Sequence, residues 1–178
     1  MMRMMNPLRM AVSTKRVSTL LPLLLSLTLP ALAADYQSVR VDGKGQLHIV
    51  PGSGKEILPA KISGQVSFGD AAISPDGRTV GWLILYPDPT VTYYKGAELA
   101  GGLALYRAGR VVHVFRTDET FYDWQFRDGG KQVAYSTGPT HGGAAECVLR
   151  EAGSGRIVAT WPVRQESEPP GWAKGLRY

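Results

Sequence analysis

Short runs of alternating apolar and polar residues, broken by Gly, Pro and Asp, set the pattern of this chain from Tyr36 onward. Alternation with a period of two is the mark of a half-buried strand. It predicts strands over 36–41, 46–50, 79–86, 103–107, 110–115, 121–126, 131–136, 144–151 and 156–162, with a short strand resuming at 55–58. Residues 61–71 read as a linker with isolated apolar points at Ile62, Val66 and Phe68, and Ile73 ends a further strand. Between the runs lie turn signals: Asp42-Gly43-Lys44-Gly45, Ala108-Gly109, Asp128-Gly129-Gly130 and Ala152-Gly153-Ser154-Gly155. Beyond residue 33 no stretch has the 3.6-residue period of an amphipathic helix.

The clearest turn is Ser74-Pro75-Asp76-Gly77, between Ile73 and Thr79. Pro75 presets φ for the first corner, Asp76 can bond its own backbone, and Gly77 accepts positive φ. A related stretch recurs 53 residues later, with Phe126 for Ile73, Gly130 for Gly77, Lys131 for Arg78, Val133 for Val80 and Tyr135 for Trp82. The later halves also align, from Gly101-Gly102-Leu103 onward against Gly142-Gly143-Ala144 onward. Each unit, about 71–115 and 121–162, is therefore strand, Asp/Gly turn, strand, Gly-Gly loop, strand, Gly turn, strand. Four antiparallel strands at a period of about 50 residues are the signature of a propeller blade. The expected fold is all-β, built of blade-like four-stranded antiparallel sheets over residues 34–163. Its two forms are a partial propeller and a small stacked-sheet domain.

The run Ile73-Ser74-Pro75-Asp76-Gly77-Arg78-Thr79-Val80-Gly81-Trp82 resembles the repeat of TolB-type, WD40-like propellers, whose core is a Ser-Pro-Asp-Gly turn followed by a basic residue and an apolar strand. The second unit keeps Gly130, Lys131 and the apolar positions, but Arg127-Asp128-Gly129 replaces Ser-Pro-Asp. The resemblance covers residues 46–162 and implies a role in interaction, since TolB-like propellers mostly present loops to protein partners. A closed propeller takes about four to eight blades. This chain holds at most two and a half, so either its sheets close one core by themselves or several chains complete a ring.

Residues 1–33 read as a cleavable export signal. Arg3, Arg9, Lys15 and Arg16 precede a Leu-rich run, Leu20 to Leu29, and Ala31-Leu32-Ala33 fits the small-x-small rule for a cut after Ala33. The start of translation reads as Met1 or Met10. The apolar run is short for a membrane span, which takes about 20 residues, so no stable span is expected after cleavage. The protein is expected in the periplasm or outside the cell, and residues 164–178 form a polar, loose tail that Trp172 and Leu176 would dock if it docks at all.

Setting the leader aside removes four of the 20 Lys and Arg and none of the 15 Asp and Glu, leaving 16 basic against 15 acidic side chains. That near balance, with no basic run, argues against a nucleic-acid partner. Cys147 is alone, so it forms no intramolecular disulfide and reads as a small buried apolar residue.

Candidate chemistry is sparse. His141, in the loop Pro139-Thr140-His141-Gly142-Gly143, reads either as a polar turn residue or as a general base or ligand contact. Its carboxylate partner in a hydrolase-type reading is Asp118 or Asp123. Asp118 and Glu119 read as a cationic-ligand contact or as a solvated loop. Tyr93 and Tyr94 sit with Tyr86, Pro87 and Pro89, and suit either contact with a protein or glycan or a satellite core. Pro75, Asp76, Gly77, Asp128 and Gly130 have a structural role in the repeat turns. His48 and His113 alternate along strands and read as exposed or satisfied within the sheet. The three His are far apart and have no ligand-spaced neighbours, so no metal is expected. No cofactor is expected either, because no phosphate loop or dinucleotide fingerprint is present. The leading expectation is a non-catalytic binding or scaffolding module with a protein partner. An envelope hydrolase and a homo-oligomeric propeller subunit are the alternatives.

Overall fold

The computed structural model describes residues 35–88, 96–140, 143–164 and 167–178. His141, Tyr93, Tyr94, Ala31 and Ala33 lie outside them. The described chain is all-β apart from one short 3-10 turn. A two-stranded sheet pairs β1 (Tyr36–Val41) with β2 (Leu47–Pro51). The first four-stranded sheet runs in sequence order through β3 (Ser67–Ile73), β4 (Thr79–Pro87), β5 (Glu98–Arg107) and β6 (Arg110–Arg116). The second runs through β7 (Thr120–Arg127), β8 (Gln132–Gly138), β9 (Glu146–Glu151) and β10 (Ile157–Pro162). All pairings are antiparallel.

The sheets stack, and alternation along each strand divides its side chains between neighbouring layers. One face of the first sheet (Phe68, Val80, Trp82, Ile84, Ala104, Tyr106) packs on Tyr36, Leu47 and Ile49 of the two-stranded sheet. Its other face (Leu83, Leu103, Leu105, Phe115) packs on Phe121, Trp124, Val133, Tyr135 and Val148 of the second sheet. Burying each large apolar side chain contributes about 1.5–3 kcal/mol, so these two interfaces hold the domain together. Trp124 fits between the sheets because residue 81 is glycine: a Cβ there would meet the indole at 2.5 Å. The same indole donates from Nε1 to the Asp70 carbonyl at 3.1 Å, tying β7 to β3.

The two units are equivalent in facing as well as in order. Trp82 and Tyr135, 53 positions apart, both point to the layer that precedes their own sheet. The repeat turns abut: the place of a Gly130 Cβ is 2.8 Å from Ser74 Cβ, and Gly130 adopts φ +99°. In the first turn Gly77 takes φ +72° and the Thr79 amide donates to Ser74 Oγ at 2.9 Å.

The structure departs from expectation at four places. The Gly-Gly loop expected before a strand over 103–107 is itself strand: β5 starts at Glu98, and Gly102 pairs with Ile84 on one side and Arg116 on the other, because a glycine without a side chain carries no alternation to mark it. The linker expected over 61–71 contains most of β3, whose period is hidden by Gly69, Asp70 and a bulge between Gly69 and Ala71. The strand expected at 55–58 is a single bridge from Ile57 to Ile49. The tail is docked, not loose: Ala173 and Leu176 are buried against Ala134, Cys147 and Leu149 on the outer face of the second sheet, with Trp172 beside them. Among the described residues no helix is long and apolar enough to cross a membrane.

Candidate functional site

The second sheet is offset from the first. Trp124 of β7 lies against Gly81 of β4 and Tyr135 of β8 stacks on Phe115 of β6 at 6.1 Å, so β9 and β10 reach the β6 edge and pass it. The inward face of these outer strands is left open, with Ile157 47% exposed. It floors a groove of about 650 Å³, within the range of ligand-binding clefts. The Arg116-Thr117-Asp118 connection and the Tyr86 and Gly101 end of the first sheet form its walls.

Alternation on β9 places Glu146, Val148 and Arg150 in line along the floor, beside Tyr135, Thr137 and Thr160. Two-residue steps along a strand are about 6.8 Å, so the floor presents a carboxylate, an apolar patch and a guanidinium in order. Arg150 is oriented by three contacts: Nε donates to the Tyr135 hydroxyl at 2.8 Å, Nη1 donates to the Gly155 carbonyl at 2.8 Å, and the guanidinium lies 4.9 Å from the Phe115 ring centroid. Arg116, Asp118, Glu146 and Arg150 all line the groove, and among the described residues none of them is ion-paired. Charges of both signs without an ion-pair partner, one of them (Arg150) fixed in orientation, are what a partner carrying complementary charges can engage.

Of the sequence candidates, Asp118 stands in this groove. Asp123 does not: its Oδ2 accepts the Arg177 amide at 3.0 Å and its Oδ1 accepts the Trp124 amide at 2.8 Å, so it holds the tail. Asp76 lines a second hollow with Arg78, Arg107, Asp128, Gly130 and Lys131. Burial pushes the Asp76 carboxyl up, but the Ser74 hydroxyl, the Arg78 amide and the charges of Arg107 and Arg78 outweigh it and hold the group below its ordinary value. Pro75 is exposed at the corner of the same turn, and Asp128 adopts φ +46° at the start of the other.

His48 and His113 are engaged beyond their own strands. His48 Nε2 is 3.1 Å from Asp42 Oδ2 and Nδ1 is 3.0 Å from Glu56 Oε1, with Arg40 also on Glu56. His113 Nε2 donates to the Gly153 carbonyl across the two sheets at 2.9 Å, and the ring stacks on Phe115. Among the described residues no group of side chains is arranged to hold a metal ion. Burial, and secondarily the Glu146 charge, pushes the Cys147 thiol up to about 11.

The groove was half visible in the sequence. Glu146-Cys147-Val148-Leu149-Arg150 sets its two charges four positions apart, an even spacing that places them on one face of a strand. The wall from Arg116 to Asp118 depends on how the sheets are offset, which no local pattern encodes. Compared with known proteins, the chain matches no family model and no curated protein.

Proposed function

We propose that this chain is an exported, non-catalytic binding module of the cell envelope that engages a partner protein through the groove beneath β9 and β10. The observation that carries this reading is the set of four charges, Arg116, Asp118, Glu146 and Arg150, that have no ion-pair partner among the described residues, around the apolar floor of Val148 and Ile157. A polar rim around an apolar centre is the anatomy of a protein-recognition patch. The resemblance to TolB-type propellers, which mostly present loops to proteins, supports the same reading, and so does the leader expected over 1–33. A hydrolase would draw on Asp118 or Asp123 beside His141, and Asp123 is already committed to the tail. A ring of several chains has less support than a self-contained stack, because the tail covers the face that a following sheet would need.

A photo-crosslinking amino acid at Thr160, on the groove floor, tests the proposal in the producing cell, with Lys44 on the remote β1–β2 turn as control. The expected result is a discrete protein adduct at Thr160 that Lys44 does not give and that Glu146→Lys with Arg150→Glu abolishes. No adduct, or the same adducts from both positions, would remove the groove as the partner site.

A further inference from the structure

The tail is held by side chains that break the internal repeat. Counting back 53 positions, Gln125, Arg127 and Ser136 stand where the first unit has Ala72, Ser74 and Leu83. Ala72 and Leu83 of the first unit pack on the sheet that follows. In the second unit, Gln125 donates to the Gly175 carbonyl at 2.9 Å and Ser136 Oγ donates to the Arg177 carbonyl at 2.5 Å. Arg127 donates to the carbonyls of Trp172 and Lys174 at 2.8 and 2.7 Å. Beneath these bonds the apolar side chains persist: Ala134, Cys147 and Leu149, with Ala159 and Trp161 at their margin. The outer face of the second sheet is thus apolar like that of the first, but fitted with polar side chains that accept an irregular backbone where a strand layer would otherwise lie.

We propose that residues 171–178 are a stop on sheet stacking, and that the face beneath them is a docking surface for the same face of a second copy of this chain. The opposite end of the stack does not fit it, because the outward side of β1 and β2 carries Arg40, Asp42 and His48, with Glu56 beside them. An apolar face lowers its exposure most by meeting another apolar face, and identical faces meet about a two-fold axis, where residue i contacts j and j contacts i. The charges on β7 suit that symmetry. Asp123 and Arg127 flank Gln125 at equal spacing, so two antiparallel β7 strands set the Asp123 of each copy against the partner's Arg127, with the two Gln125 amides at the centre. The tail and the second copy compete for one surface, and the tail, tethered to it, prevails while it is intact.

The test compares the purified chain with two opened forms: the Ala173→Arg, Leu176→Arg double variant, and folded chain cut at a protease site inserted after Arg164. Circular dichroism verifies the sheets, the labelling rate of Cys147 in dilute solution reports opening, and light scattering gives the mass. The intact chain is expected to be a monomer with a protected thiol. The opened forms are expected to label at least about tenfold faster, the change that 1.4 kcal/mol of lost protection gives, and to double in mass as concentration rises. In the cut form, Asp123→Arg is expected to abolish the dimer and Arg127→Asp added to it to restore it. A thiol that labels fast in a form that stays monomeric overturns the docking surface. A thiol that stays protected in both forms, or an intact chain that already dimerises, overturns the stop.

Discussion

Arg127 holds the Trp172 carbonyl at 2.8 Å from Nε, across 45 positions of sequence. The same guanidinium reaches the Lys174 carbonyl and the Gln125 side-chain oxygen, so it fastens two tail carbonyls to β7 beside the bonds that Asp123 and Gln125 make. Hydrogen bonds from a charged donor contribute about 1.5–3 kcal/mol each, and less where water competes. Arg127→Ser, which restores the residue of the first unit, is expected to destabilise the domain by about 2 kcal/mol in urea unfolding. Hydrogen exchange localises the effect: the amides of Ala173 and Leu176, bonded to Pro170 and Ala173, should lose protection while those of β4 and β5 keep theirs.

Gly81 is where the two four-stranded sheets come closest. A methyl group at that position would sit 2.5 and 2.7 Å from two atoms of the Trp124 ring and 3.3 Å from the Leu105 side chain. The ring cannot swing away without losing its bond to the Asp70 carbonyl. Gly81→Ala is expected to destabilise by about 1–3 kcal/mol through overpacking. A change in near-ultraviolet circular dichroism at unchanged far-ultraviolet signal would place the effect at the indole.

What was legible in the sequence was local. Alternation and turn chemistry place eight of the ten described strands within about two residues, because a half-buried strand and a Gly at positive φ leave their mark on adjacent residues. Strand β5 starts five residues before the expected Leu103, where Gly101 and Gly102 interrupt the pattern. Strand β3 was obscured because Gly69, Asp70 and the bulge beside them interrupt its period. The docked tail was obscured for another reason. Its grip comes from main-chain carbonyls meeting Gln125, Arg127 and Ser136, partners 41 to 50 positions away, and a carbonyl has no sequence signature. The groove lies between these cases, since β9 declares its floor by alternation and only the packing of sheets supplies its wall.

Gly129 and Gly130 separate backbone strain from packing. Both have positive φ, at +63° and +99°, but a Cβ at Gly129 meets nothing within 4 Å, whereas one at Gly130 meets Ser74 Cβ at 2.8 Å and Asp76 Oδ1 at 3.0 Å. Gly129→Ala is expected to cost about 1 kcal/mol, the left-handed penalty for a residue with a Cβ. Gly130→Ala is expected to cost that and about 1–3 kcal/mol more, because the two repeat turns must separate. Thermal unfolding of the two variants under one condition measures the difference; equal losses would mean that the contact between the turns contributes nothing.

Asp42 ties the first hairpin and sets an acid limit on it. Its carboxyl is held down from 3.8 to about 2, first by the Gln46 amide, then by His48 and the Lys44 amide, against a small opposing effect of desolvation. A group whose folded value is depressed contributes its stability above its unfolded value and loses it as pH falls through the folded one. The contribution is therefore complete above 3.8 and vanishes through about 2. Asp42→Asn is expected to lower the urea midpoint at neutral pH, with the gap from the native chain closing over that acid window as the native carboxyl is protonated. A gap that stays constant down to pH 2 would mean that the bonds to Gln46 and Lys44 hold the turn equally well without the charge.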